Sequence, residues 1–347
     1  MQAVRWHARG DVRVETVPDP VPGPGEVLVR VEWCGLCGTD VHEYAHGPVL
    51  IPSRPHPLTG KVPPVTLGHE FSGTVAAASP GAPVAVGERV TASACLVCHE
   101  CPWCRSGAPN LCARLGSLGL CADGALAELV AVPAYVLHRL PDGLSAEIAA
   151  LSEPAAVAVH ACRRARLRGG ETVAVVGGGP IGLLVLQVAR ADGAAAVFTI
   201  EPLAARRELA VRLGARAALD PAEPADKAIA AATGERRADV VFECTGSTAG
   251  IETALRVSGK GGRVVLVGIY RDASPAPWAR LQAHEKEIVG ASAYTDDFPE
   301  ALRLLAGGQI RGDLLISDRI ALADVVGRGL RALVEEPARH VKILVRP

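Results

Sequence analysis

Aromatic residues are scarce in this chain. Phe, Tyr and Trp together make up 3% of 347 residues, although 49% of the chain is hydrophobic. Any core must therefore be built on Ala, Val, Leu and Ile. Lysine is also rare, occurring five times, and arginine supplies most of the positive charge in a nearly balanced chain of formal net charge −1. That balance argues against a nucleic-acid footprint or an anionic-membrane surface. An apolar signal segment is missing from the opening Met1-Gln2-Ala3-Val4-Arg5-Trp6-His7, so the expectation is a soluble, cytoplasmic protein. The one long run without charge, Thr172 to Ala189, is interrupted by Gly177-Gly178-Gly179-Pro180, which would break a spanning helix. A buried strand, a turn and a buried helix fit that run better.

Cysteine, by contrast, occurs ten times. In a chain this large, without a signal segment, clustered thiols read as metal ligands rather than as a disulfide framework. Cys98, Cys101, Cys104 and Cys112 follow a C-x2-C-x2-C-x7-C pattern within fifteen residues. Four thiols so spaced can converge on one tetrahedral ion, and zinc is the ion that most often takes four thiolates. Such a loop folds because the metal holds it, and a closed four-sulfur site has no position for a substrate. Cys95 adds another C-x2-C, which raises an iron–sulfur alternative. The ferredoxin spacing places three residues before its last cysteine, with proline after that cysteine, and it leaves Cys112 without a role. Cys95, Cys34, Cys121, Cys162 and Cys244 are read as small buried apolar residues.

The first half of the chain is strand-like, with candidates at Glu26–Glu32, Gly87–Ala92 and Leu129–Val132. From about Ala155 strands and helices alternate. Strands fit Thr172–Val176, Val197–Ile200, Asp239–Glu243 and Arg263–Val267, and helices fit Pro180–Ala191, Leu203–Leu213 and Ile251–Val257. This alternation predicts a doubly wound parallel sheet. Beyond Ala291 the rhythm is lost, leaving a helix near Phe298–Ala306 and a terminal strand at Val341–Val345.

Gly177, Gly179 and Gly182 form G-x-G-x-x-G, with Pro180 and Ile181 between the last two, after a predicted strand and at the start of a predicted helix. In that context the glycines allow a tight turn and close backbone approach, and the helix N-terminus receives a pyrophosphate. Glu201 follows Gly182 by 19 residues, at the end of the next strand. A carboxylate there binds a ribose 2′-hydroxyl and repels a 2′-phosphate, which favours NAD over NADP. Arg206 is a candidate to stack on adenine, although Arg207 and Arg212 nearby leave open a solvated face or a contact to a 2′-phosphate.

Cys37, His69, Glu70 and Glu153 have no distinguishing spacing of their own. Taken with the cysteine lobe and the glycine motif, however, Gly68-His69-Glu70 makes the chain resemble the zinc-dependent medium-chain dehydrogenases. Within them, His42-Glu43-Tyr44 to Gly47-Pro48, His56-Pro57-Leu58-Thr59-Gly60, Leu151-Ser152-Glu153-Pro154 and Tyr294-Thr295-Asp296-Asp297 resemble the 2,3-butanediol dehydrogenases. Sorbitol and threonine dehydrogenases are near relatives. Leu126 and Leu129 stand where that group usually has aromatics.

The resemblance implies an α/β fold, with a GroES-like, mostly-β catalytic domain (residues 1–154 and 292–347, metal lobe about 93–115). A Rossmann NAD-binding domain at 155–291 is implied beside it, with the active site between the two. It implies two zinc ions, a structural one on the four cysteines and a catalytic one on Cys37, His69 and Glu153, with Glu70 as a possible alternate. Thr39 and His42 match the family's proton-relay positions. The expected activity is hydride transfer between a vicinal diol, or its hydroxyketone, and NAD, by a homodimer or homotetramer with no nucleic-acid or membrane partner. Alternatives are a polyol, threonine or specialised-metabolite alcohol dehydrogenase and, more remotely, a non-catalytic nucleotide sensor.

Overall fold

Two β architectures built on different residue patterns appear in the computed structural model, which describes residues 1–270, 275 and 277–347. By internal contacts the chain divides into two units. One comprises Met1–Glu153, Phe298–Ala306 and Ile316–Pro347, and the other Pro154–Asp297 and Gly307–Leu315.

In the first unit, strand Glu26–Gly35 alternates buried and less buried side chains as far as Val31, with Val27, Val29 and Val31 inward. That two-residue period is expected of a sheet with one face packed and one in water. The strand sits centrally in a seven-stranded sheet. It pairs antiparallel with Glu70–Ala78, with Leu129–Pro133 and with the terminal strand Lys342–Arg346. Strand Ile316–Ala321, which has no obvious sequence signal, joins parallel to the terminal strand. Among the described residues, the buried core behind this sheet is aliphatic apart from Phe71, Trp6, Cys34 and Cys121.

The second unit carries six parallel strands. Their order is Ala217–Leu219, Ala196–Ile200, Thr172–Val176, Ala238–Glu243, Ser258–Leu266 and Glu287–Gly290. In chain order this is 3-2-1-4-5-6, the Rossmann arrangement. Val173 to Val176 are all buried, because helices cover both faces of a parallel sheet and neither set of side chains meets water. Helix Pro180–Ala191 has the bounds the sequence predicts, while strand Ser258–Leu266 starts five residues before the expected Arg263.

Residues 292–297 and 307–315, assigned to the first domain on sequence, group with the second unit. Local bonds hold them there. The Asp297 carboxylate accepts from His160 Nδ1 at 2.9 Å and from Arg163 at 2.6 Å, and Gln187 accepts from the Arg311 N–H at 2.7 Å. Among the described residues no helix is long and apolar enough to cross a membrane, and Thr172–Ala189 is the strand, turn and helix its glycines imply.

Candidate metal centres and dinucleotide loop

The four-cysteine lobe has almost no interior of its own. Between residues 98 and 112 only Asn110 and Cys112 are buried, and Trp103 and Leu111 stand half exposed. Its order comes instead from convergence on the sulfurs. Short helical turns at Pro102–Arg105 and Pro109–Leu111 fold the segment back, and the backbone N–H groups of residues 98, 101, 104 and 114 all aim at sulfur.

The Sγ atoms of Cys98 and Cys112 are 3.4 Å apart, those of Cys101 and Cys104 3.5 Å, and those of Cys98 and Cys104 3.9 Å. A tetrahedral ion with metal–sulfur bonds of about 2.3 Å requires sulfur–sulfur edges of about 3.8 Å. All four thiols are free, and the spacing is far from a disulfide's. Donor N–H groups, led by that of Glu100, pull Cys98 down to about 6, while desolvation and the neighbouring sulfurs push Cys104 up to about 12. The donor set fits one zinc ion.

The second cluster forms where two loops leave the central sheet. Strand Glu26–Gly35 is followed by Leu36, and Cys37 caps helix Gly38–His46, with the Asp40 carboxylate accepting from the Cys37 N–H at 2.9 Å. The second loop carries Gly68-His69-Glu70. Gly68 has φ +95, and a Cβ added at Gly119 or at Gly124 would strike its carbonyl oxygen, at 2.6 and 2.1 Å respectively. The loop bearing His69 is thus wedged against the Gly119–Gly124 segment, and Leu126 fills the space beside Gly68.

Donor atoms of Cys37, His69 and Glu70 all lie within 4.8 Å of one another. His69 Nδ1 and Asp40 Oδ1 are buried without a hydrogen-bond partner, 3.8 Å apart. Burial alone would pull the imidazole down, but the Cys37 sulfur, Asp40 and Glu153 outweigh it and hold His69 well above its ordinary value. An unpartnered buried imidazole nitrogen beside a thiol and carboxylates fits a divalent cation of the zinc type.

Glu153, in the first turn of helix Ser152–Arg164, is 8% exposed and bears electrostatically on His69, yet it does not join the 4.8 Å group. Glu70 does, although both its oxygens face the ammonium of Lys342 at 2.8 and 2.6 Å. Thr39 Oγ1 is 3.5 Å from Cys37 Sγ, and half-buried His42 follows one turn later on the same helix. Glu43 on that helix is fully buried. It accepts from the N–H groups of Val49, Leu50 and Ile51, fixing the turn beyond Gly47. Lys342 and Asp40 are site residues to which the sequence assigns no role. A lysine at the head of the apolar run Ile343-Leu344-Val345 is the available signal for the first of them.

In the second unit Gly177 takes φ +99, where a side chain would meet Thr245, and a Cβ at Gly182 would stand 1.9 Å from the Gly177 oxygen. Gly179 caps helix Pro180–Ala191, with Pro180 in its first turn. The Glu201 carboxylate accepts from Gly178 N at 2.6 Å and Leu203 N at 3.0 Å, so it is pinned beside the loop. Arg206 is half buried, and its guanidinium would lie 3.9 Å from a Cβ on Gly179; desolvation lowers its basicity, partly countered by Glu201. Arg207 turns inward to the carbonyls of Glu201 and Pro202 and pairs with Asp220, so it is not part of a solvated face. Ile181 is half buried in the first turn of the helix.

Gly182→Ala is therefore expected to destabilise the protein by about 1–3 kcal/mol through overpacking. It should also weaken dinucleotide binding, as read by calorimetry, without changing the metal content.

Residues 180–307 match the zinc-binding dehydrogenase family, and residues 23–142 match the alcohol dehydrogenase GroES-like domain. The (R,R)-butanediol dehydrogenase of Bacillus subtilis is 39% identical over the whole of both chains. The crystal structure of 2R,3R-butanediol dehydrogenase from Bacillus subtilis superposes with a TM-score of 0.94, at 39% identity, covering 100% of this chain and 99% of that one. A zinc-binding dehydrogenase from Sinorhizobium meliloti 1021, solved bound to NADP, gives 0.89 at 35% identity, covering 100% and 99%. The class defined is an oxidoreductase acting on CH–OH groups. The chain belongs to the zinc-binding alcohol dehydrogenase family, with a GroES-like domain and a Rossmann-type parallel sheet.

Proposed function

We propose that the protein transfers hydride between a secondary alcohol and NAD, with a vicinal diol such as 2,3-butanediol, or its hydroxyketone acetoin, as substrate. The observation that carries this reading is the convergence of Cys37, His69 and Glu70 donors within 4.8 Å, with the Thr39 hydroxyl beside the Cys37 sulfur. Similarity to butanediol dehydrogenases along the full chain supports the substrate class.

Cys37, His69 and Glu153 would hold the catalytic zinc, with Glu70 as alternate, and Cys98, Cys101, Cys104 and Cys112 the structural one. Zinc bound at the first site supplies Lewis-acid stabilisation of negative charge on a substrate oxygen, and NAD supplies the hydride acceptor. Thr39 accepts the proton of the substrate hydroxyl while passing its own onward, and His42, one turn along the helix, delivers it towards solvent. Asp40, whose Oδ1 lies 3.8 Å from His69 Nδ1, is the carboxylate placed to orient the His69 ring. Catalysis is assigned to the unit of residues 1–153, 298–306 and 316–347 and NAD binding to that of 154–297 and 307–315, in a homodimer or homotetramer.

Steady-state kinetics with racemic and meso 2,3-butanediol, acetoin, sorbitol and threonine test the substrate. The butanediol pair should show the highest kcat/KM, and a clear preference for sorbitol or threonine would move the protein to a polyol or amino-alcohol reading.

Glu201 supports NAD over NADP because its carboxylate would face a 2′-phosphate as a like charge. Glu201→Gln, which removes the charge and keeps an acceptor for one of the two N–H groups of Gly178 and Leu203, should cut the NAD-to-NADP ratio of kcat/KM at least about tenfold. An unchanged ratio would assign the selection to Arg206 instead.

A further inference from the structure

One of the five lysines, Lys342, is among the largest fully buried side chains in the molecule. It opens the terminal strand Lys342–Arg346, whose Leu344 pairs with Gly35 and whose Ile343 carbonyl accepts from the Leu36 N–H at 3.0 Å. That places the lysine where strand Glu26–Gly35 gives way to Cys37. An ammonium has three N–H donors, and here all three have acceptors. It donates to the Leu36 carbonyl at 3.0 Å and to the two Glu70 oxygens at 2.8 and 2.6 Å. Leu36 immediately precedes Cys37, and Glu70 immediately follows His69. One cation thus ties together the two loops that bring the thiol and the imidazole within reach of each other, across 306 and 272 residues of sequence. Gly35 makes the arrangement possible, since a Cβ there would lie 2.4 Å from Glu70 Oε2.

The same contacts restrain Glu70. Its carboxylate is close enough to Cys37 and His69 to act as a metal ligand. Both of its oxygens, however, are committed to a full positive charge in a fully buried setting, where such a pair is stabilised by its geometry and expensive to separate. We propose that Lys342 is a positioning residue of the metal centre: it fixes the Cys37 and His69 loops and keeps the Glu70 carboxylate off the metal, so that a coordination position stays open. The proposal rests on the reading of Cys37 and His69 as metal ligands.

The test is the visible spectrum of cobalt-substituted enzyme, from which the spectrum of Cys37→Ser, carrying cobalt only on the four cysteines, is subtracted. In Lys342→Met the difference bands should lose intensity, as a four-coordinate ion gains the freed Glu70 oxygen. In Lys342→Met with Glu70→Gln, which leaves no carboxylate to move in, they should recover. That double variant should also lose cobalt to a chelator about 10- to 100-fold faster, because the two loops are no longer tied. Lys342→Gln, whose amide can still reach the Leu36 carbonyl, is the milder form and should weaken the bands in the same way. Unchanged four-cysteine bands report an intact fold in each variant.

Parental difference bands in Lys342→Met and Lys342→Gln would overturn the proposal, as would equal weakening with and without Glu70. A blank difference spectrum in the parent would instead overturn the ligand reading of Cys37. The two failures are therefore distinguishable.

Discussion

Cys37→Ser is expected to lower the zinc content from the proposed two per chain to one, and to lower kcat/KM for the alcohol by at least about 1000-fold. The size follows from the chemistry removed. Lewis-acid stabilisation of a developing alkoxide is worth several kcal/mol, and each 1.36 kcal/mol is tenfold in rate. Cys37 is the only thiol in its donor group, set at the N-cap of helix Gly38–His46 with its N–H bound to Asp40. A serine fits that cap, so the helix and the sheet behind it should survive. Metal analysis separates this from unfolding, because the four-cysteine zinc should remain, and calorimetry should show the dinucleotide still bound. Full turnover in the variant would refute the ligand assignment, and loss of both metals would mean that Cys37 supports the fold.

How much of this is visible in the sequence depends on how far apart the interacting residues lie. The glycine loop is legible because its requirements are local. Gly177 needs a positive φ, Gly182 must admit the Gly177 carbonyl, and the flanking strand and helix announce themselves by hydrophobic pattern. The four cysteines are legible for the same reason. Helix Gly38–His46 is not, because its buried positions include Asp40 and Glu43, polar residues that give no apolar stripe. Lys342 escapes notice because its partners, Leu36 and Glu70, lie some three hundred residues away, and no local pattern encodes a contact of that range. Glu70 and Glu153 look alike in sequence. Only the placement of Glu70 among the Cys37 and His69 donors, and under Lys342, sets the two apart.

Cys104→Ser should open the four-cysteine lobe. Zinc on a four-cysteine site contributes about 10 kcal/mol or more of binding free energy that doubles as folding free energy. The lobe has little else to hold it, since Trp103 and Leu111 are half exposed and only Asn110 and Cys112 are buried within it. Losing one sulfur breaks the edges of 3.5 and 3.9 Å to Cys101 and Cys98 and leaves an incomplete tetrahedron. The segment from 98 to 112 should then open locally while both hydrophobic cores persist, because local stability is set by local contacts. Arg105 is exposed at the end of its helical turn, and Arg114 lies just past the last ligand. Trypsin should therefore cut the variant at these arginines at least about 100-fold faster than the parent, since cleavage tracks the population of the open form. A chelator strong enough to remove the structural zinc should make the parent equally sensitive. If the variant resists trypsin as the parent does, the lobe is held by its backbone turns, and the metal adds little to its order.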